Sequence, residues 1–478
     1  MKMFFSLLIV TILTFPTHAQ RPNILFILAD DQRTDTIAAH GNPNIDTPNI
    51  DRLVQTGFSF RRNYCMGSMH GAVCQPSRAM IMSGQAYFRI EMDLEGTKTF
   101  PERLRENGYT TFATGKWHNN KPALVRSFEQ GNAIMMGGMS NHEAVPIVDI
   151  APDGRLVNKR TGSKFSSKLF VDSAIEFLHQ HNTNKPFLAY VALTSPHDPR
   201  QPPLEYRQPY YDKKLPLPDN FLPQHPFDNG RLIVRDENLA AWPRTPEVVR
   251  DQLAEYYGMI THMDAQIGRL LKKLEDIGQK ENTIIIYAAD HGLAVGSHGL
   301  LGKQNVYEHS MGAPLIFAGP GIPKGKSSSA LTYLYDIFPT VFDYVGIPLT
   351  ESVDGTSLKP IWNNRRKTVR DSIFLAYEDL QRALVEDRWK LIRYRKIDHT
   401  QLFDLKNDPQ EKTNLAENPK HSKRVTRMTK QLENWQSNVG DNARLQVASP
   451  KPKEINLTST PRETDKWQPQ WIVEKYFD

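Results

Sequence analysis

Apolar residues gather along this chain in short runs separated by helical and turn-like stretches. The run Asn23-Ile24-Leu25-Phe26-Ile27-Leu28-Ala29 is almost continuously apolar and stops at Asp30-Asp31, the pattern of a parallel strand buried on both faces. Residues 282–289 repeat it and stop at Asp290-His291-Gly292. Residues 109–115 and 186–194 read as two more strands, which end at Lys116-Trp117-His118 and Ser195-Pro196-His197-Asp198. Residues 58–64 alternate like a strand, and 313–318 form another. Helical spacing fills the gaps. Thr47-Pro48-Asn49 opens a short helix with a capping residue followed by Pro, and Gly57 ends it. Residues 100–108, 165–180, 247–277 and 333–345 read as helices, the third stopped by Gly278. Strands alternating with helices predict an α/β fold, a mainly parallel sheet sandwiched by helices. Residues 199–246 break the pattern, being rich in Pro with little periodicity. A loop that long in a compact domain is usually functional, so we read it as an excursion shaping a cleft.

The texture changes after about residue 365. Residues 372–377, 381–386, 389–394 and 401–405 look like short antiparallel strands with a turn at Asp408-Pro409, and a final helix covers 422–435. This predicts an α/β domain over 20–365, a smaller antiparallel α+β subdomain over 366–446, and a polar tail over 447–478. The length of 478 residues suits a large domain with a smaller one. Hydrophobic residues at 39% and charged ones at 23% allow a sizeable core. The start of the chain changes the picture more. Lys2, an apolar run over 4–15 and Thr17-His18-Ala19 read as a signal peptide, residues 1–19, cleaved before Gln20. That run is too short to span a bilayer, and no other stretch would, so a soluble periplasmic or secreted protein with no membrane span is expected. The net charge of +6 becomes +5 once Lys2 leaves. It is spread out rather than blocked, which makes a solvated basic surface the simpler reading and nucleic acid no partner.

The candidate chemistry centres on Cys74-Gln75-Pro76-Ser77-Arg78, which runs on through Ala79-Met80-Ile81-Met82 to Ser83-Gly84. Pro76 suits the first turn of a helix, where a missing N–H costs nothing. Residue 74 then sits at the positive end of a helix dipole, a good seat for a group that attacks an anion. Arg78, one turn on, carries a permanently charged fork that fits sulfate or a carboxylate. A structural Cys before an ordinary helix is the plainer alternative. The remaining candidates stand where strands end: Asp30, Asp31, Lys116, His118, His197, Asp290 and His291, joined by Lys303 in a loop. The carboxyl ends of such strands are where open α/β sheets bind ligands. Each of these residues alone reads as well as a turn, a hydrogen-bonded histidine or a solvated lysine; together with the Cys74 segment they form a set. Cys65 and Cys74 are the only cysteines, and one disulfide between them is the bland reading for an oxidising compartment.

The Cys74 segment resembles the signature of the type I sulfatases: Cys or Ser, any residue, Pro, Ser or Ala, Arg, four residues, then Thr or Ser and Gly. The resemblance extends from Asn23-Ile24-Leu25 through Thr114-Gly115-Lys116-Trp117-His118 and Ala289-Asp290-His291-Gly292 to Leu402-Phe403-Asp404-Leu405. It implies the alkaline-phosphatase-like fold with a C-terminal antiparallel subdomain. It implies oxidation of Cys74 to formylglycine by a formylglycine-generating or other sulfatase-maturing enzyme, which forbids the disulfide. One bridge would add little to a core this size, so modification is the preferred state. Carried over by position, the metal site falls on Asp30, Asp31, the modified Cys74, Asp290 and His291. That shell, rich in hard oxygen, suits calcium, with magnesium next. His291 stands where several animal members have Asn, although His also occurs there within the family. The implied reaction is sulfoester hydrolysis by the hydrated aldehyde. Arg78 and the metal activate it, Lys116 and Lys303 neutralise sulfuryl oxygens, His197 protonates the leaving oxygen, and His118 takes the proton that lets sulfate go. His142 and Arg200 are the substrate-binding candidates, within a wider set of Arg89, Lys121, Arg126 and Gln201. Gly137-Gly138-Met139-Ser140-Asn141-His142 looks like secreted bacterial polysaccharide sulfatases. The expected substrate is a sulfated algal polysaccharide such as ulvan or carrageenan, with glycosaminoglycans next. A phosphonate or phosphate ester hydrolase on the same scaffold, and an inactive carbohydrate-binding relative, are the rival readings.

Overall fold

A computed structural model describes residues 21–477 apart from 183 and 351; the expected leader, 1–19, lies outside the described residues. The central strand of the larger sheet is Asn23–Ala29, every residue of it buried. It pairs in parallel with Phe187–Ala192 on one side and Thr283–Ala289 on the other. All three carry apolar side chains on both faces because helices cover both, and each fully buried Ile or Leu is worth about 1.5–3 kcal/mol. Outward from Phe187–Ala192 lie Thr110–Lys116 and Gln130–Met135, both parallel, then antiparallel Pro146–Ile150 and Leu156–Thr161. On the other side Leu315–Ala318 runs antiparallel to Thr283–Ala289, followed by Gly57–Tyr64 and Lys326–Tyr333, which completes ten strands.

Four of these strands, 130–135, 146–150, 156–161 and 326–333, are not foreseen in the sequence pattern. Leu156–Thr161 reads Leu-Val-Asn-Lys-Arg-Thr and is exposed along its second half; backbone pairing at a sheet edge makes it a strand, and edges favour such charge. Tyr333, expected to open a helix, instead closes a strand; a tight turn over Leu334–Asp336 leads into the helix Ile337–Val345. The excursion contains a helix, Leu204–Asp212, built around an internal Pro209, and the C-terminal tail contains another, Gln470–Tyr476. Thr47 does not cap the helix Pro48–Thr56 with its side chain. The Asp264 carboxylate does so from the long helix Pro246–Asp276, accepting the N–H groups of Asn49 and Ile50 at 3.1 and 2.7 Å.

The smaller sheet orders His399–Asp404, Trp389–Tyr394, Gln381–Val385 and Ile373–Tyr377. Its fifth strand, Gly67–Ser68, comes from the stretch that leads into the Cys74 helix and runs parallel to Ile373–Tyr377. Gly67 has φ of +120°, and a Cβ there would stand 1.8 Å from the Ala376 carbonyl oxygen, so only glycine permits the pairing. The small sheet is thereby stitched to the segment that carries Cys74. Among the described residues no helix is long and apolar enough to cross a membrane.

Candidate active site

Three parallel strands of the sheet deliver their chemistry at their carboxyl ends. Asn23–Ala29 runs into Asp30 and Asp31, Thr110–Lys116 ends on Lys116, and Thr283–Ala289 runs into Asp290 and His291. Asp31 takes the left-handed backbone conformation, φ +68°, which Asp tolerates better than most residues. The turn is pinned on both sides. Tyr256 on the long helix donates its hydroxyl to the Asp31 carbonyl at 2.5 Å, and the Asp31 N–H reaches Asp290 Oδ1 at 3.1 Å.

The helix Cys74–Ser83 points its first residue into this group. Cys74 Sγ lies 3.3 Å from His291 Nε2, 3.4 Å from Lys303 Nζ and 3.8 Å from Asp31 Oδ1. Burial pushes its thiol well above the ordinary range; Lys116 and Lys303 pull the other way and do not prevail. An unmodified Cys74 is therefore a protonated and weak nucleophile. Cys65 is also buried and free. Arg78 is fully buried, donating Nε to Asp290 Oδ2 at 3.1 Å and Nη1 to the Lys116 carbonyl at 2.7 Å. Ser77 Oγ donates to the Asp290 carbonyl at 2.6 Å.

The two lysines sit on the carboxylates. Lys116 Nζ donates to Asp30 Oδ2 at 2.5 Å, and Lys303 Nζ to both oxygens of Asp31 at 2.8 Å. Burial alone would raise Asp30, but Lys116, His197, Arg78 and Lys303 hold it well below the usual carboxylate range. Burial and the neighbouring Asp30 push Asp290 up. The two catalytic-candidate histidines differ. Burial, with Lys116 and Arg78 close by, depresses His118 to about 2, so it is a neutral imidazole able to accept a proton. His197 has a carboxylate near each nitrogen: Asp31 Oδ2 at 3.8 Å from Nε2 and Asp198 Oδ1 at 3.3 Å from Nδ1. Its Nδ1 also meets the Asp198 carbonyl at 2.7 Å. This fixes Nδ1 as a donor and turns Nε2 toward the cluster.

The residues fit a divalent cation. The ligating atoms of Asp30, Cys74, Asp290 and His291 lie within 4.8 Å of one another, as do those of Asp30, Asp31, Cys74 and His197. Asp30 Oδ1 is buried with no hydrogen-bond partner, its ion pair being Arg78 Nη2 at 3.7 Å, and an oxygen so placed has room in its coordination for a metal cation. His291 Nδ1 is tied to the Gly292 carbonyl at 2.9 Å, which leaves Nε2 free to ligate.

Above the cluster opens a cavity of about 370 Å³. Cys74, His118, His197 and Lys303 form its floor, and Arg231, Arg235, Asp236 and Gln304 stand in its wall. His142 and Arg200, expected to grip substrate, do not line it. His142 is buried, with Nδ1 on Ser166 Oγ at 2.7 Å and Nε2 on the His197 carbonyl at 2.9 Å; it backs His197 from outside the cavity lining. Arg200 is buried against Gln252 and lies over the Tyr256 ring. Arg89 and Arg126 are occupied by chain partners, Asp354 and the Leu94 and Thr97 carbonyls. The wall residues come mainly from the Pro-rich excursion. Its length marked it as cleft-forming, but no periodicity distinguished Arg231, Arg235 and Asp236 within it.

Comparison with known proteins matches the profile of the family described as Sulfatase to residues 22–347. A second profile, N-sulphoglucosamine sulphohydrolase C-terminal, matches residues 296–438. The chain is 27% identical over 503 residues to an N-acetylglucosamine-6-O-sulfatase of Bacteroides thetaiotaomicron, covering 89% of this chain and 88% of that one. It is 28% identical over 458 residues to an arylsulfatase of Clostridium perfringens, covering 86% and 94%. A solved structure in complex with its substrate D-glucosamine-2-N,6-O-disulfate superposes with a TM-score of 0.74 at 25% identity, covering 88% of this chain and 99% of that one.

Proposed function

Because the chain belongs to the sulfatase family, we propose that its sulfuric ester hydrolysis takes place at the Cys74 cavity on a glycan carrying sulfated glucosamine. The observation that carries the site is the convergence of His291 Nε2 and Lys303 Nζ on Cys74 Sγ, at 3.3 and 3.4 Å, beside a neutral His118. The glucosamine reading is supported by the glucosamine sulfatase relative and by the disulfated glucosamine bound in the solved neighbour. These favour it over the algal polysaccharides that the sequence alone suggested.

Oxidised to formylglycine, residue 74 supplies a hydrated aldehyde: one oxygen attacks sulfur, and the other hydroxyl later expels sulfate. Asp30, Asp31, Asp290 and His291 would hold the cation, calcium by their oxygen-rich donor set, which supplies Lewis acidity there. Lys116 and Lys303 offset negative charge gathering on the sulfuryl oxygens, and Arg78 fixes Asp290 while adding a buried positive charge. His197 presents Nε2 to the sugar oxygen that departs. His118, neutral and unpaired at Nδ1, takes the proton from the second hydroxyl. Arg235, Asp236, Arg231 and Gln304 stand where the sugar ring must lie, and they replace His142 and Arg200 as the sugar-reading set.

The test is sulfate release from a panel of glucosamine 6-, 3- and N-sulfates, ulvan and carrageenan oligosaccharides, and a matched phosphate ester. Mass spectrometry of the residue 74 peptide accompanies it. Release from glucosamine sulfates, and none from Cys74→Ala, is expected. Faster phosphate cleavage, or full activity with an unmodified thiol, would sink the reading.

A further inference from the structure

The excursion does more than wall the cavity. Glu237 is buried, and its two carboxylate oxygens accept consecutive backbone N–H groups of the loop that carries Lys303: Leu301 N–H at 2.9 Å and Gly302 N–H at 2.7 Å. Its neighbour Asp236 takes the next contact, accepting from Gln304 Nε2 at 2.8 Å, while Gln304 Oε1 accepts the Lys303 N–H at 3.0 Å. The approach is so close that a Cβ on Gly302 would fall 2.4 Å from Gln304 Oε1, 2.9 Å from Asp236 Cβ and 3.0 Å from Glu237 Oε1.

Glu237 is itself held from behind. Arg244 Nη2 donates to Glu237 Oε2 at 3.0 Å and to the Glu237 carbonyl at 2.7 Å, and its Nη1 donates to the Ala241 carbonyl at 3.1 Å. The guanidinium lies over the Trp242 ring at 4.3 Å. A bidentate carboxylate on two successive amides leaves the loop little freedom of translation or rotation, since each charge-assisted bond constrains a different direction. The far side of the loop is secured independently, by Ala294 N–H on the Gly302 carbonyl at 2.9 Å. Loss of Glu237 would therefore loosen the loop without releasing it.

We infer that Glu237, locked by Arg244, is the positioning residue that sets Lys303 Nζ over the reacting group. The excursion is then a working part of the catalytic apparatus and not only a substrate wall. This rests on the assignment of Lys303 to the sulfuryl group made above. The structure supports the chain of contacts at each link: Arg244 to Glu237, Glu237 to residues 301 and 302, and Lys303 Nζ to Asp31 at 2.8 Å and to Cys74 Sγ at 3.4 Å.

The experiment uses the full chain with its metal, and inorganic sulfate as the probe, because sulfate is the product whichever sugar is cleaved. Calorimetric sulfate affinity and kcat on D-glucosamine-2-N,6-O-disulfate are measured for Lys303→Ala, Glu237→Ala, Glu237→Gln and the Lys303→Ala/Glu237→Ala double variant. Lys303→Ala is expected to weaken sulfate binding on the order of 10-fold or more, the range for a charge-assisted hydrogen bond. Glu237→Ala should show a similar loss of affinity, and in kcat a loss approaching 100-fold for a group displaced by about 1 Å. Glu237→Gln, which keeps one acceptor, should fall between wild type and Glu237→Ala, and it carries the test if the alanine variant does not fold. The double variant should match Lys303→Ala within about twofold, because Glu237 acts only through Lys303. Wild-type sulfate affinity in a folded Glu237 variant, or losses that multiply in the double variant, would overturn the inference. Unchanged affinity in Lys303→Ala would instead overturn the assignment of Lys303, and the inference with it.

Discussion

Gly138→Ala offers a test of the role of His118 that adds one methyl and removes nothing. Gly138 lines the cavity, and a Cβ there would lie 2.4 Å from His118 Nε2 and 2.6 Å from its Cε1. Ordinary contact begins at 3.4 Å, so the imidazole must retreat by about 1 Å. Gly138 is not among the glycines with positive φ, so alanine adds no backbone strain of its own. Overpacking in a core costs about 1–3 kcal/mol; one side of this contact is open cavity, which places the stability cost near about 1 kcal/mol. The functional cost is larger. A displacement of about 1 Å from a near-attack geometry can cost on the order of 100-fold in rate. The expected result is a kcat lower by about 10- to 100-fold, with the melting temperature within about 2–4 °C of wild type. Steady-state sulfate release and thermal denaturation measure the two quantities. Wild-type kcat in a folded Gly138→Ala protein would refute the placement of His118 at the reacting group, because no other side chain shields it from the new methyl.

Two further outcomes follow from the same geometry. Removing divalent metal with a chelator should abolish sulfate release and lower the melting temperature, and added calcium should restore both; saturating at 100 times the dissociation constant is worth about 2.7 kcal/mol. Retained activity in metal-depleted protein would contradict the ligand set built on Asp30 Oδ1. Burial lowers His142, His225, His262 and His298 to about 4, 3, 4 and 4. The unfolded chain, titrating near 6.5, thus binds protons that the folded one refuses, and stability is lost as pH falls below about 6.5. The melting temperature should drop by several degrees between pH 7 and pH 5, and a flat profile would contradict the burial of these imidazoles.

The buried half of the fold was legible from apolar runs alone. Asn23–Ala29 and Thr283–Ala289 declare themselves because a strand covered on both faces has no polar alternation to confuse with anything else. Their polar stops could be read as chemistry for the same reason, and Asp30, Asp31, Asp290 and His291 do converge. Edge strands such as Leu156–Thr161 escape, since their stability lies in backbone pairing that leaves no trace in side-chain type. His142 and Arg200 fail as cavity residues for a related reason. Polarity suggested exposure, whereas both are buried and spent on internal partners, Ser166 and the His197 carbonyl in one case and Gln252 in the other. The excursion shows the limit from the other side: its length signalled function, but which of its charges face the cavity depends on contacts distant in the chain, as with Arg231 on Glu378, 147 residues away.

The charge balance of the site explains why so many buried ions can coexist there. Each carboxylate has its own cation: Asp30 holds Lys116, Asp31 holds Lys303 and Asp290 holds Arg78. All six are buried, and a lone buried charge would cost several kcal/mol while a matched pair roughly breaks even. The six residues alone are therefore close to neutral and have little net pull on an anion. A divalent cation among the carboxylates changes the sum. Lys116 and Lys303 would then share their carboxylates with that cation, and their ammonium groups would be available to a new anion. A sulfate ester together with an ionised attacking oxygen supplies the two negative charges that restore balance. With the lysines on the carboxylates, anion affinity would rise with cation occupancy, so sulfate should bind more weakly to metal-depleted protein than to calcium-loaded protein, and equal affinity would contradict this balance.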